Sequence, residues 1–285
     1  SNLSHGGGTG YFDWARIDNG VVSQETTWPE IARRDAIEEW WNENAGEKKL
    51  AVWSMNVPHA PFTTPPAEAL PPGYSPSGNA NRQEFEDMVV SMDYLIGDLL
   101  SRLSSAGTLT NTLIVWLSDN GTPPNATGAE QQGDRVKTTI WEGGIRVPII
   151  ISGPIVPDGQ QYDHVVEVMD LGPSIARLVG APHAAKDGLP FLFDGIEAEV
   201  PYRNLAMSEK FTNRGDVPDP TNPPVDQLAV IGDRFKYRLV DGVERVYDLE
   251  TDPNETSPIL VTDPTVVPFM DEVSAFLSAL PPRNV

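Results

Sequence analysis

Apolar residues fall at helical spacing in three places. Across residues 83–104, Phe85, Met88, Val89, Met92, Leu95, Ile96, Leu99, Leu100 and Leu103 recur at i, i+3, i+4 and i+7. That is one broad apolar face, and Gly107 follows as a stop. Residues 30–44 place Ile31, Ala32, Ile37, Trp40 and Trp41 near the same period, with Gly46 beyond them. A third amphipathic helix is predicted over 165–180, stopped by Gly180. Between the helices lie short apolar runs without alternation, at about 49–56, 112–118 and 147–152. Runs of this kind, separated by amphipathic helices, predict strands of a mostly parallel sheet flanked by helices, an α/β domain.

After residue 200 the pattern changes. "DQLAVIGD", "RFKYRLVD" and "ERVYDLE" are short and partly alternating, with Gly-Asp and Asp-Gly between them as hairpin turns. The expected organisation is a core over 1–200 and a small antiparallel β appendage over 201–285, finished by a helix near 265–279. Residues 1–30 read as irregular. The proline-rich stretch from Pro58 to Pro76 suits neither a helix nor a central strand, so it is expected to cross the surface.

Charge narrows the possible partners. The 285 residues carry 20 Lys+Arg against 41 Asp+Glu, a net charge of −21. Such a field repels nucleic-acid phosphates and anionic membranes, attracts cations, and obliges an anionic ligand to find a local positive site. There is no cysteine, which excludes disulfides and thiolate metal sites within the chain. No apolar run reaches the roughly 18 residues of a transmembrane helix. The opening residues lack the basic and apolar regions of a signal peptide, and the chain reads as cut from something longer.

In a parallel sheet, ligands bind outside the carboxyl ends of the strands. Two of the predicted strands end in groups able to bind: His59 after the first, and Asp119-Asn120 after "LIVWLS". Lys137 follows 17 residues after Asn120, in a loop that must return along the same edge. Each has a plainer reading. Asn120-Gly121 has the composition of a hairpin turn, His59 of a surface loop, Lys137 of a solvated side chain, and Glu142-Gly143-Gly144 of a glycine turn. An antiparallel pairing of 112–118 with the chain just beyond Gly121 would favour the turn and remove the reason for a metal site. His5, His164 and His183 have no evident partner in the sequence.

Five motifs in order make the chain resemble the sulfatase family of the alkaline phosphatase superfamily. "NVPHAPF" (56–62) resembles the family's Pro-His-x-Pro segment, and "NTLIVWLSDNGTP" (111–123) its strand ending in Asp-Asn-Gly. "KTTIWEGGIRVPIIISGP" (137–154) is similar to its Lys-x-x-x-Tyr-Glu-Gly-Gly-x-Arg-Val-Pro pattern, with Trp141 at the usual Tyr. "VMDLGPSIARLVG" (168–180) and "VYDLETDPNET" (246–256) resemble two later motifs.

The resemblance implies that Asp119 and Asn120 join the oxygen shell of a divalent cation, calcium in the family. It implies that His59 and Lys137 contact the sulfate. Lys137 would neutralise ester oxygens and His59 would assist the leaving alcohol, with Glu142-Gly143-Gly144 supporting Lys137 and Arg146 pairing with Glu142. The implied substrate is a sulfated small molecule or carbohydrate, and the implied setting is the periplasm or the cell exterior. The family's Asp-Asp metal pair, its Cys- or Ser-x-Pro-x-Arg segment that becomes formylglycine, and a further Lys and His lie upstream of these motifs and have no counterpart here. The chain is therefore expected to be a sulfatase fragment, inactive alone and weak in calcium binding. Alternatives are a phosphonate or phosphodiester hydrolase of the same superfamily, or a non-catalytic relative that binds a sulfated ligand.

Overall fold

The structure, a computed structural model, describes residues 10–128, 134–157, 159–182, 188–191, 203–211 and 225–280. His5 and His183 lie outside them. The chain divides into two compact units, Ser1–Leu113 and Ile114–Val285.

The first unit opens with β1 (Trp14–Asp18) and β2 (Val21–Glu25), an antiparallel hairpin in the stretch expected to be irregular. Its turn is Asn19-Gly20, both at positive φ, the primed turn that matches strand twist. Helix α1 (Pro29–Glu43) begins with proline at its first position, where no amide hydrogen is needed. Helix α2 (Asn81–Ser105) buries Met88, Leu95, Leu99 and Leu103, the stripe its periodicity predicts. It closes on Gly107 at φ 71°, with Gly107 N–H on the Ser104 carbonyl and Thr108 N–H on that of Leu103, a Schellman ending. Met88, Leu95, Trp28, Ile31 and Val57 share one core cluster.

The predicted strand at 49–56 forms no ladder. Its burial still alternates: Ala51, Trp53 and Met55 turn inward while Leu50 and Val52 are 61% and 76% exposed. The segment has the side-chain period of a strand without a hydrogen-bonded neighbour among the described residues.

In the second unit, β3 (Ile114–Leu117) pairs with β4 (Ile149–Ser152), Leu117 opposite Ile149. The pairing is antiparallel, which corrects the expected parallel arrangement of 112–118 and 147–152. Parallel neighbours need a crossover, usually a full helix. Between these strands the described residues offer only a short 3-10 turn and α3 (Glu142–Ile145). All three sheets among the described residues are antiparallel, so a mostly parallel sheet is not what this chain builds. The continuous apolar runs misled because they equally suit a strand covered on one face, and β4 alternates half-buried and exposed.

Helix α4 (Leu171–Leu178), led by a 3-10 turn, occupies the core of the third predicted helix. The last region is a meander of β5 (Ala206–Phe211), β6 (Val225–Ile231), β7 (Phe235–Val240) and β8 (Val243–Asp248), antiparallel throughout. The turn between β7 and β8 is Asp241-Gly242, again with positive φ at both residues. Helix α5 (Val267–Ala279) lays Phe269 and Val273 on Leu228, Val230, Tyr237 and Val246. The other face of β7 carries Lys236 and Arg238, and both are buried.

Candidate functional site

His59 belongs to the first unit, on an exposed loop braced from beneath. The Tyr11 hydroxyl reaches the carbonyls of Asn56 and His59 at 2.8 and 2.7 Å, and His59 N–H donates to the Asn56 carbonyl. Glu30, fully buried on α1, receives Asn56 N–H at 2.6 Å, Trp53 Nε1–H at 2.8 Å and the Arg33 guanidinium at 2.8 Å. Burial pushes the Glu30 carboxyl above its ordinary range, against the lowering influence of Arg33 and these donors. Nδ1 of His59 lies 2.7 Å from the Ala60 carbonyl. A carbonyl only accepts, so the ring proton sits on Nδ1 and the basic nitrogen of the neutral ring is Nε2.

Asp119, Asn120 and Lys137 belong to the second unit. Neither Asn120 nor Gly121 has positive φ, unlike Asn19-Gly20 and Asp241-Gly242. Although β3 and β4 are antiparallel, residues 118–148 lie between them, so Asn120-Gly121 is no two-residue hairpin turn. The glycine is there for close approach. A Cβ on Gly121 would fall 1.8 Å from the Gly143 carbonyl oxygen, and one on Gly143 would fall 2.3 Å from that of Arg135. Gly121 N–H donates to the Gly144 carbonyl, and Lys137 N–H to that of Thr122, both at 3.0 Å. The Asp119-Asn120 loop and the Lys137 segment are thus stitched backbone to backbone.

Asp119 is exposed, Asn120 and Lys137 half-buried, and no carboxylate among the described residues pairs with the Lys137 ammonium. Next to it, Thr138 holds φ 73°. That region costs a β-branched residue about 1–3 kcal/mol and persists only where the surroundings impose it. Asp119 and Asn120 offer hard oxygen donors, the right chemistry for calcium, which takes 6–8 of them. Among the described residues, however, no group of three or more His, Asp or Glu gathers to hold a metal. The pair fits part of a cation shell.

Sequence reasoning missed what holds the Glu142-Gly143-Gly144 turn. Arg146, its expected partner, is mostly exposed and reaches Glu142 only at 3.9 Å. The near partner is the fully buried Lys236 of β7, whose Nζ lies 2.9 Å from Glu142 Oε1 and 3.1 Å from Glu255 Oε1. Glu255 Oε2 in turn accepts the Glu142 N–H at 2.6 Å. Arg135 donates to the carbonyls of Asn254 and Glu255 at 2.8 and 2.9 Å. The guanidinium carbons of Arg135 and Arg238 stand 4.1 and 3.4 Å from the centroid of the Trp141 ring. A lysine amid the apolar residues of "RFKYRLVD" was the available signal, since a strand alternates its faces and this one turns Lys236 and Arg238 to the same side.

A family model described as Sulfatase matches residues 25–181. A "Sulfatase" of Formosa agariphila is 27% identical over 203 residues, which cover 71% of this chain and 36% of that protein. Arylsulfatase K of Xenopus laevis is 29% identical over 268 residues, covering 82% of this chain and 47% of its own length. Among solved structures, Ps i-CgsB matches with a TM-score of 0.72 at 23% identity, over 92% of this chain and 57% of its own; it has also been crystallised in complex with k-i-k-neocarrahexaose. The chain thus spans between about a third and three fifths of the length of these relatives. The structural likeness speaks for the fold, and the family match, which takes in the loops of His59, Asp119, Asn120 and Lys137, decides the membership. The chain belongs to the sulfatase family of the alkaline phosphatase superfamily.

Proposed function

We propose that this chain is part of a sulfuric ester hydrolase acting on aryl or carbohydrate sulfates. The observation that carries the reading is a half-buried lysine ammonium without an ion-pair partner among the described residues, on a segment bonded to the Asp119-Asn120 loop. In a protein of net charge −21, such a cation is a place for an anion to go. Lys137 binds the non-bridging oxygens of the sulfate, and it strengthens that contact as charge redistributes toward the leaving oxygen. His59, its proton on Nδ1, takes a second proton at Nε2 and delivers it to the departing alcohol. Asp119 and Asn120 hold part of the shell of a divalent cation, which when bound draws charge from the ester oxygens. The covalent step needs a nucleophile, for which the family resemblance implies a formylglycine. No cysteine in this chain can supply it, and the chain holds no Ser-x-Pro-x-Arg segment.

One comparison tests this: 4-nitrophenyl sulfate turnover and calcium titration calorimetry, on this 285-residue chain and on the product of its natural gene. The expected result is no turnover and affinity weaker than micromolar for the chain, with turnover and one converted Cys or Ser in the gene product by intact mass. Turnover by the 285-residue chain above a buffer blank would sink the proposal as stated and point to a nucleophile within it. A gene product that cleaves phosphonate esters and not sulfates moves the assignment to the phosphonate hydrolases of the superfamily.

A further inference from the structure

We infer that Lys236, Glu142 and Glu255 form a buried positioning clamp through which the C-terminal sheet sets the place of Lys137. The inference rests on the reading of Lys137 as a sulfate contact. Its geometry stands independently. The segment 135–144 is fastened at both ends to the same feature, the turn after β8. At one end the Arg135 guanidinium grips the carbonyls of Asn254 and Glu255. At the other, Glu255 takes the Glu142 amide, and Lys236 bridges the two carboxylates. Lys137 lies between these fixings, and its own amide is bonded to Thr122.

Backbone conformation points to the same place. Four described non-glycine residues have positive φ. Asn19 and Asp241 sit in hairpin turns; the other two are Thr138, beside Lys137, and Glu255. Strain of that kind survives where surrounding contacts over-determine it, and the clamp supplies those contacts. The turn that presents Glu255 is itself built from "YDLETDPNET". Asp248 takes the Arg234 guanidinium at two oxygens, and Asp252 caps the amides of Thr256 and Ser257. Burying a lysine between two carboxylates is weak evidence of stabilisation, since desolvation opposes the attraction. What such a group supplies is a single geometry, because removing any member leaves an uncompensated charge.

The test uses the product of the natural gene with 4-nitrophenyl sulfate as probe, and amide exchange on the 285-residue chain. Glu255→Gln keeps the shape and an acceptor for the Glu142 amide but removes one charge. It is expected to lower kcat at least about tenfold with KM changed less than about threefold, the circular dichroism unchanged. Lys236→Met is expected to lose more. In a Lys137→Ala background, Glu255→Gln is expected to have no further effect, since it acts through that ammonium. Wild-type kcat in a folded Glu255→Gln, or a loss that adds to that of Lys137→Ala, overturns the positioning role. Lys137→Ala at the wild-type rate instead refutes the sulfate contact and leaves the clamp to amide exchange. There Glu255→Gln should speed exchange at residues 135–144 at least about tenfold while β6 and β7 keep their rates. Equal exchange at 135–144 overturns the clamp itself.

Discussion

The loop at 56–60 hangs from neutral donors and one guanidinium gathered around the single carboxylate of Glu30, whereas the segment at 135–144 is fastened between a buried lysine, two carboxylates and a stacked indole. The first cage is nearly local: Arg33 lies one helical turn from Glu30, and Asn56 lies 26 residues away. The second reaches 94 residues to Lys236 and 113 to Glu255. A loop held locally needs only its own helix to be in place. One held over such distances is placed only after the C-terminal meander has formed, so its order reports on the whole second unit. The difference also concerns chemistry. His59 is presented on an exposed loop, as suits a group that exchanges protons, and Lys137 on a segment that leaves its backbone little freedom.

The largest effect expected from breaking the second arrangement is on catalysis. Lys137→Ala in the gene product should lower turnover by roughly 10²–10⁴-fold, since a positioned cation in a water-poor cleft is worth far more than one in solvent. Thermal stability should be nearly unchanged, because lysines of this kind seldom stabilise folds. Lys137→Arg should not restore the rate, as a planar fork does not replace a compact point charge. Near-normal turnover in a folded Lys137→Ala protein would return Lys137 to the ordinary surface.

Next in size is a steric break. Gly121→Ala places a methyl group 1.8 Å from the Gly143 carbonyl oxygen, which is backbone and cannot rotate away. The two loops must separate, with a stability loss of about 2–3 kcal/mol by denaturant unfolding. Gly107→Ala, at the end of α2 with open space around it, should cost only the positive φ, about 1 kcal/mol. Equal losses at the two positions would show that conformation, and not close approach, explains Gly121.

The first cage has its own test, in pH. Burial raises the Glu30 carboxyl, so the native state keeps this proton to higher pH than the unfolded chain does. Between the ordinary glutamate value of 4.5 and the raised one, the native state binds more protons, and the contribution of Glu30 to stability falls as pH rises through that window. Glu30→Gln removes this slope. It also turns one acceptor into a donor facing donors, which costs about 1–3 kcal/mol at neutral pH. Urea unfolding of the two proteins between pH 4 and pH 8 should therefore show curves that diverge toward acid. Parallel curves would show Glu30 ionised alike in both states.

How much of this was legible depends on the range of each interaction. The helices 29–43 and 81–105 and the β6–β8 meander were readable because periodicity, Gly107 and Asp241-Gly242 act within a few residues. Four family motifs placed Lys137 and the Asp119-Asn120 loop, and a fifth, "VYDLETDPNET", holds Glu255 without revealing what it touches. The direction of β3 against β4 was not readable, since an apolar run has no arrow. Lys236 was missed because its carboxylates come from two distant turns. Asn19-Gly20 was passed over for want of long strands beside it, while Asn120-Gly121, the same dipeptide, drew attention to a turn it does not make.

The smallest effect sharpens the comparison most directly. Thr138 is exposed, carries φ 73°, and stands beside the candidate sulfate contact; nothing comparable strains the loop at 56–60, whose described residues have no positive φ. If the clamp imposes that conformation, a residue that tolerates it should relieve the strain without altering the contacts. Asn does so, its short polar side chain being at ease in the left-handed region. Thr138→Asn should raise stability by about 0.5–1 kcal/mol in the wild-type background, read as a shift in the urea midpoint with unchanged slope. The gain should shrink toward zero in Glu255→Gln, where the loosened segment lets Thr138 relax by itself. This coupling separates imposed strain from a merely local turn preference, because a turn preference gives the same gain in both backgrounds. A gain of equal size in Glu255→Gln would detach Thr138 from the clamp and leave its φ a property of the loop alone.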